Sequence, residues 1–223
     1  MAVLVAGGTG ALGAAVVSEL LESGHSVTAT WVEERELERM TADDGLTLVQ
    51  ADLLDPSSAA EAVESVDGLT AVVNLVGGFA MGPKVEGTEL GDFERMLRLN
   101  LVPAFNLAHA AMPRLVAAGG GAFLCVSARA ALEPFSGASG YVTAKAAVLA
   151  FVKVLHAEYA DAGVRSNAIL PSVIDTPANR RSMPKADTSK WVAPAEIARV
   201  VRFLISDDSA PTSGAAVPVY GRA

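Results

Sequence analysis

Short aliphatic runs alternate along the whole chain with longer stretches of helical period, and this alternation restricts the fold more than any other feature. The runs Val3 to Val5, Ser26 to Val32, Thr47 to Val49, Ala71 to Val76, Gly121 to Ser127, Ser166 to Leu170 and Ala216 to Tyr220 read as seven strands. Helices are expected between the first strand and Glu22, from the second strand to Met40, around Ala59 to Val66, and over Phe93 to Ala117, Tyr141 to Ala162 and Glu196 to Ser206. Strand-helix-strand units close by right-handed crossovers, so the class is α/β, with a doubly wound, mostly parallel sheet of about seven strands and helices on both faces. With no repeat, linker or composition break, residues 1–223 are expected to form a single domain. One segment breaks the rhythm: PSVIDTPANRRSMPKADTSKWVAPAE, from Pro171, carries four prolines and no apolar period. Irregular stretches this long in compact domains are commonly lids or binding loops. This one leaves the C-terminal end of a strand, where open α/β sheets bind ligands, so a lid is expected over about residues 171–195.

A sheet covered on both faces needs an aliphatic core, and at 51% hydrophobic but 5% aromatic residues the chain has the material for one. A formal net charge of −8 opposes nucleic acid or an anionic membrane as partner. Cys125 is the only cysteine, so it forms no internal disulfide, and its apolar run marks it as a buried thiol. His25, His109 and His156 are scattered, with no acidic or cysteine cluster beside them, and no metal site is expected. The opening MAVLVAGG has no basic region, and no stretch approaches the ~18 apolar residues of a membrane span, so the expected location is cytoplasmic.

After the first strand comes AGGTGALG, which opens a helix. Gly7, Thr9, Gly10, Leu12 and Gly13 form the kind of turn that lets a backbone approach a pyrophosphate, which then rests on the helix N-terminus. A plain tight turn is the alternative, but the place of the cluster between first strand and first helix favours a Rossmann-type sheet with a nicotinamide dinucleotide as the expected cofactor. An acid at the end of the second strand would select NADH, but that place reads Thr30-Trp31-Val32, with Glu33, Glu34 and Arg35 only afterwards. Trp31 therefore leaves the choice between NADH and NADPH open. Asp52 and Leu53, after the third strand, are placed for the adenine, with a helix N-cap as the competing role for Asp52. Asn74 and Gly77, in VVNLVGG, would bring flat backbone against the adenosine ribose.

Tyr141 and Lys145 are four residues apart in a predicted helix and so share one face. A phenol is a poor proton donor at neutral pH, and a neighbouring ammonium is expected to draw its pKa toward the working range. The glycine turn, Asn74 to Gly77, Asn100, Tyr141 with Lys145, and the turn from Pro171 to Thr176, in that order, resemble the short-chain dehydrogenase/reductase family over essentially the whole chain. The resemblance implies that Tyr141 protonates a carbonyl oxygen as hydride arrives, that Lys145 also holds the nicotinamide ribose, and that Asn100 joins a water relay. It also implies that Pro171, Ile174 and Thr176 contact the nicotinamide end, and that the two long helices form a homodimer or homotetramer interface.

Two positions depart from the family pattern. Ala6 and Ala11 occupy two places of its common TGxxxGxG, and Ala128 stands where a substrate-orienting serine is common, with Ser127 one residue earlier. Ser127 is the candidate to take over that catalytic work by a one-residue shift, although neighbouring strand residues point to opposite faces. The lid, together with VGGFAMG and ARAALEPFSGASGY, resembles the dihydropteridine reductases of that family, which also carry alanine at this position. The resemblance implies a substrate like the quinonoid dihydropterin those enzymes reduce, a conjugated ring already electron-poor that needs less polarisation. Phe79, Arg129, Asn179 and Met183 are the candidate substrate contacts, although Arg129 is equally placed for a surface ion pair and Asn179 for capping the loop.

The leading expectation is therefore an NAD(P)H-dependent oxidoreductase acting on a small carbonyl or activated conjugated ring. An ordinary ketone or 3-oxoacyl reductase is the alternative within the family, and a non-catalytic nicotinamide-nucleotide redox sensor the alternative outside it.

Overall fold

The computed structural model describes residues 1–222. Seven strands form one wholly parallel sheet: β1 Ala2–Ala6, β2 Ser26–Trp31, β3 Leu46–Gln50, β4 Leu69–Asn74, β5 Gly121–Val126, β6 Val164–Pro171 and β7 Ala216–Val219, in the order β3-β2-β1-β4-β5-β6-β7. The helices are α1 Ala11–Glu22, α2 Pro56–Glu64, α3 Leu90–Ala117, α4 Ser139–Tyr159, α5 Pro177–Ser182 and α6 Pro194–Ile205. Because side chains alternate across a strand, each central strand feeds two cores. Leu4, Ala6, Phe123, Cys125, Ala168 and Leu170 pack with residues of α2, α3 and α4. Val3, Val5, Ala122, Leu124 and Ile169 pack with residues of α1 and α6 on the opposite face. The strand order reverses between β1 and β4, and the C-terminal ends of these strands open the crevice where ligands of such sheets lie.

Two segments differ from expectation. Residues up to Met40 form a short 3-10 stretch, Glu34–Arg39, instead of a helix of the ordinary kind. ERELER has one apolar residue and buries none, so no apolar face exists to pack a longer helix. The segment after Pro171 is less irregular than its prolines imply. Thr176 accepts a hydrogen bond from the Asn179 amide and Pro177 opens α5, both features that favour helix initiation.

Helix α4 with the 3-10 turn that follows it, Ser139–Ala162, is long and apolar enough to cross a membrane by length and composition, contrary to the expectation that no stretch approaches this. Its apolarity has a local cause. Val148, Val152 and Leu155 are buried in the core over the sheet, while Phe151 packs on Phe105 of α3, at 6.1 Å between ring centroids.

Arg165 closes the C-terminal end of α6. Its guanidinium donates to the carbonyls of Leu204 (2.7 Å), Ile205 (3.2 Å) and Ser206 (3.0 Å) and to Ser209 Oγ (2.6 Å). Those carbonyls have no partner within the helix. Arg165→Ala is expected to lower the stability to unfolding by about 2–3 kcal/mol, read by urea denaturation. A loss below ~0.5 kcal/mol would show that water replaces the side chain at no cost.

Candidate active site

The C-terminal ends of six strands, β1 to β6, border the site. At the end of β1, Gly7 adopts φ +73°, which favours glycine, and its amide donates to Thr30 Oγ1 of β2 (2.9 Å). The turn then leads into α1, whose N-cap is Gly10, with no side-chain cap and no acid in the first turn. The first amides of α1 thus have no side-chain acceptor, and the helix end favours an anion. Thr9 and Gly13 are buried, while Gly10 and Leu12 are half-buried. Trp31 is half-buried at the tip of β2.

Asp52 is exposed and its carboxylate accepts the Leu54 amide (3.0 Å), while Leu53 beneath it is buried. The N-cap of α2 is Asp55, so Asp52 caps a turn and not that helix. At the end of β4, Asn74 Oδ1 accepts the Val76 amide (3.1 Å) and turns the backbone toward Gly77. A Cβ at Gly77 would lie 2.5 Å from Asn100 Oδ1 and 3.0 Å from Lys145 Nζ. Only a glycine lets the backbone lie so close to both.

Asn100 is buried in α3, with Nδ2 donating to the carbonyls of Met96 (2.9 Å) and Gly78 (3.1 Å) and Oδ1 accepting the Gly78 amide (3.1 Å). Tyr141 and Lys145 share one face of α4, with Lys145 Nζ 6.0 Å from the centre of the Tyr141 ring. The ammonium donates to the Val126 carbonyl at the end of β5 (3.0 Å).

Burial governs the protonation of both groups. It raises the Tyr141 phenol to about 12 and lowers the Lys145 ammonium to about 8. The expectation that Lys145 draws the phenol downward is therefore not met in the protein alone. Desolvation alone sets the direction, and the site holds a phenol that keeps its proton at neutral pH. Among the described residues, none hydrogen-bonds the Tyr141 hydroxyl.

The question posed by Ala128 has a geometric answer. Ser127 is buried and its hydroxyl donates to the Lys145 carbonyl (2.7 Å), which ties it to the backbone of α4. Val126 and Ser127 thus grip Lys145 at both ends, through Nζ and through its backbone. Ser127→Ala is expected to cost about 1 kcal/mol of stability and to change kcat by less than about tenfold, because the hydroxyl is tied to backbone. A loss of about a thousandfold in kcat with the fold intact would restore Ser127 as a catalytic group.

The other candidate substrate residues divide. Phe79 stands edge-on to Tyr141, at 4.9 Å and 90°, and lies 6.4 Å from Phe135, which reading the sequence overlooked. Met183 is partly exposed beyond α5. Arg129 is paired with Glu133 (2.8 Å) and lies over the Tyr220 ring at 4.8 Å, the surface-pair alternative. Asn179 holds the root of the lid, donating from Nδ2 to the Ile174 carbonyl (2.8 Å). Asp175 and Arg180 pair beside it, and Ile174 bridges to Val192 across the lid neck. Pro171 is buried at the end of β6, and the Thr176 side chain is consumed as the cap of α5. No group of histidine, cysteine and acidic side chains suited to a metal ion occurs among the described residues.

The uncapped helix end, the glycine turn and the bare backbone at Gly77 together fit a dinucleotide. Comparison with known proteins agrees. Residues 1–187 match the family described as short chain dehydrogenase. The chain is 32% identical over 219 residues to the dihydropteridine reductase of Dictyostelium discoideum, covering 96% of this chain and 92% of that protein. It is 30% identical over 236 residues to 2,5-dichloro-2,5-cyclohexadiene-1,4-diol dehydrogenase LinX of Sphingobium indicum, covering 98% and 94%. A solved short-chain type dehydrogenase/reductase from Mycobacterium ulcerans superposes with a TM-score of 0.91 at 25% identity, covering 99% of this chain and 88% of that one. Fold, glycine turn and sequence thus converge, and the chain belongs to the short-chain dehydrogenase/reductase family as an NAD(P)-dependent oxidoreductase.

Proposed function

We propose that this protein uses NAD(P)H to reduce a small, flat, activated ring, in the manner of a dihydropteridine reductase. One observation carries the reading: Phe79 and Phe135 form an aromatic wall with Tyr141, whose hydroxyl has no hydrogen-bond partner among the described residues. Ala128 has no hydroxyl to offer, and that of Ser127 is consumed by Lys145. A carbonyl benefits from a second donor that polarises it, whereas a conjugated ring short of electrons needs only a proton and a surface to lie on.

The glycine turn, the N-terminus of α1 and the backbone from Asn74 to Gly77 would hold the cofactor, which would supply hydride when bound. Tyr141 holds the balancing proton at Oη, and the buried phenol releases it only to a group that gains electron density. Lys145 returns a proton to the phenolate from Nζ, and Asn100 keeps the backbone at Gly78 aligned beside it. Phe79 and Phe135 orient the ring, with Met183 at the lid edge. Arg129 and Asn179 shape the pocket from their own bonds. The protein acts in the cytoplasm as a homodimer or homotetramer, joined through α3 and α4, where Phe105 and Val154 are exposed.

The test is oxidation of NADH and NADPH with freshly generated quinonoid dihydropterin beside a panel of cyclic ketones, diols and quinones. Turnover of the pterin at least ~100-fold above any ketone is expected. Turnover confined to ketones or ring diols would favour the second reading, an alcohol or ketone enzyme, which the 30% identity to a cyclohexadiene-diol dehydrogenase supports.

A further inference from the structure

The tip of β2 lacks the acid that reads an adenosine ribose, yet a carboxylate reaches the glycine turn from elsewhere in the chain. The 3-10 stretch after β2 folds back over that turn. Glu36 Oε2 accepts the hydroxyl of Thr9 at 2.9 Å, across 27 residues of sequence. Arg39 Nη1 donates to the Thr9 carbonyl (3.1 Å) and lies 3.5 Å from Glu36 Oε1. Thr9 is fully buried, whereas the Glu36 side chain is 30% exposed, so the carboxylate covers the threonine and stays open to solvent beside the glycine turn.

The placement matters because Thr9 directly precedes Gly10, the N-cap of α1, where a pyrophosphate would rest. Gly7, two residues before Thr9, is tied to Thr30 at the tip of β2. A group beside Thr9 and β2 therefore borders the sugar attached to that pyrophosphate. An ionised carboxylate has about four acceptor sites. The hydroxyl of Thr9 takes one and the pair with Arg39 a second, which leaves others for a ribose hydroxyl. A ribose phosphate at the same place would meet a negative charge and an acid-rich segment, with Glu33, Glu34, Glu36 and Glu38 against Arg35 and Arg39. Arg39 is committed to Glu36 and to the Thr9 carbonyl, which leaves it poorly placed to neutralise a phosphate.

We propose that Glu36 is the residue that reads the 2′ position of the adenosine ribose, accepting its hydroxyl and repelling a 2′-phosphate, so that the protein selects NADH over NADPH. This assignment rests on the nicotinamide-nucleotide reading of the site given above. The specificity element has moved from the strand tip to the following turn, and Trp31 stands in the place of the usual acid.

Direct binding tests it without any substrate. The intact protein is titrated with NADH and with NADPH at one ionic strength, by calorimetry and by quenching of tryptophan fluorescence. NADH is expected to bind at least ~10-fold more tightly than NADPH. Glu36→Gln keeps an acceptor for Thr9 but removes the charge, and is expected to tighten NADPH by about tenfold while leaving NADH within about threefold. Glu38→Gln removes a charge from the same segment and is expected to leave the ratio unchanged. Equal or tighter binding of NADPH by the unmodified protein would overturn the assignment, as would an unchanged ratio in Glu36→Gln. Binding of neither nucleotide would overturn the dinucleotide site itself and the assignment with it.

Discussion

Tyr141→Phe is expected to lower turnover of a carbonyl substrate by about 10²–10⁴-fold, the usual contribution of a positioned proton donor. Binding of NAD(P)H is expected to stay within about threefold, because the phenol hydroxyl has no partner in the protein whose loss would rearrange the pocket. The ring also keeps its edge-on contact with Phe79, so the fold and the aromatic wall survive. A quinonoid dihydropterin responds less, since water itself protonates so activated a ring. The measurement is steady-state turnover of one ketone and one pterin, with cofactor affinity determined separately. Near-normal ketone turnover by the variant would remove Tyr141 from its assigned role.

The second large effect belongs to Lys145, where activity and stability are expected to move in opposite directions. Its amine is buried, and burial lowers its pKa from 10.5 to about 8. In the unfolded chain the amine holds its proton up to its ordinary value. Between about pH 8 and 10.5 the unfolded state therefore binds more protons, and stability rises with pH as the folded amine is already neutral. Below pH 8 the full cost of a buried ammonium is present.

Lys145→Met fills much of the same volume without the charge. It is expected to stabilise the protein at pH 7 by on the order of 1–3 kcal/mol, with the gain reduced by loss of the bond to the Val126 carbonyl. The advantage shrinks toward zero near pH 10.5. Turnover is expected to fall about 100-fold or more, because the phenolate loses its proton source. Urea denaturation at pH 7 and at pH 10 separates the two states. A methionine variant less stable than the parent at pH 7 would show that hydrogen bonding to Val126 outweighs desolvation. Residues that serve chemistry at the expense of stability are common in active sites.

Much of this architecture was legible before any coordinates. Seven strands and the principal helices follow from local periods, since burial on both faces demands continuous aliphatic runs in the strands. Boundaries lie one to a few residues from those the periods suggest, and the stretch after β2 is a short 3-10 segment because its single apolar residue offers no face to pack a longer helix. The pairing of Tyr141 with Lys145 was equally legible, because four residues along a helix return to the same face whatever surrounds them. The glycine turn announced itself for the same reason: its conformation is a property of the residues in it.

What resisted was the disposition of polar atoms between distant segments. Ser127 and Ala128 are adjacent in sequence, yet only the packing of α4 on β5 shows that the Ser127 hydroxyl belongs to the Lys145 carbonyl. Glu36 carried no signal at all, for its partner Thr9 lies 27 residues away and the segment between them includes a whole strand. The sign of the Tyr141 shift was also unreadable, since helix spacing brings an ammonium near while saying nothing of the solvent removed by the residues around it. Sequence alone thus determined the order of elements and the shared face of Tyr141 and Lys145, both of which rest on local backbone geometry. Tertiary structure alone decided which donors and acceptors are consumed, which remain free, and how burial sets their protonation, because those depend on atoms brought together from separate parts of the chain.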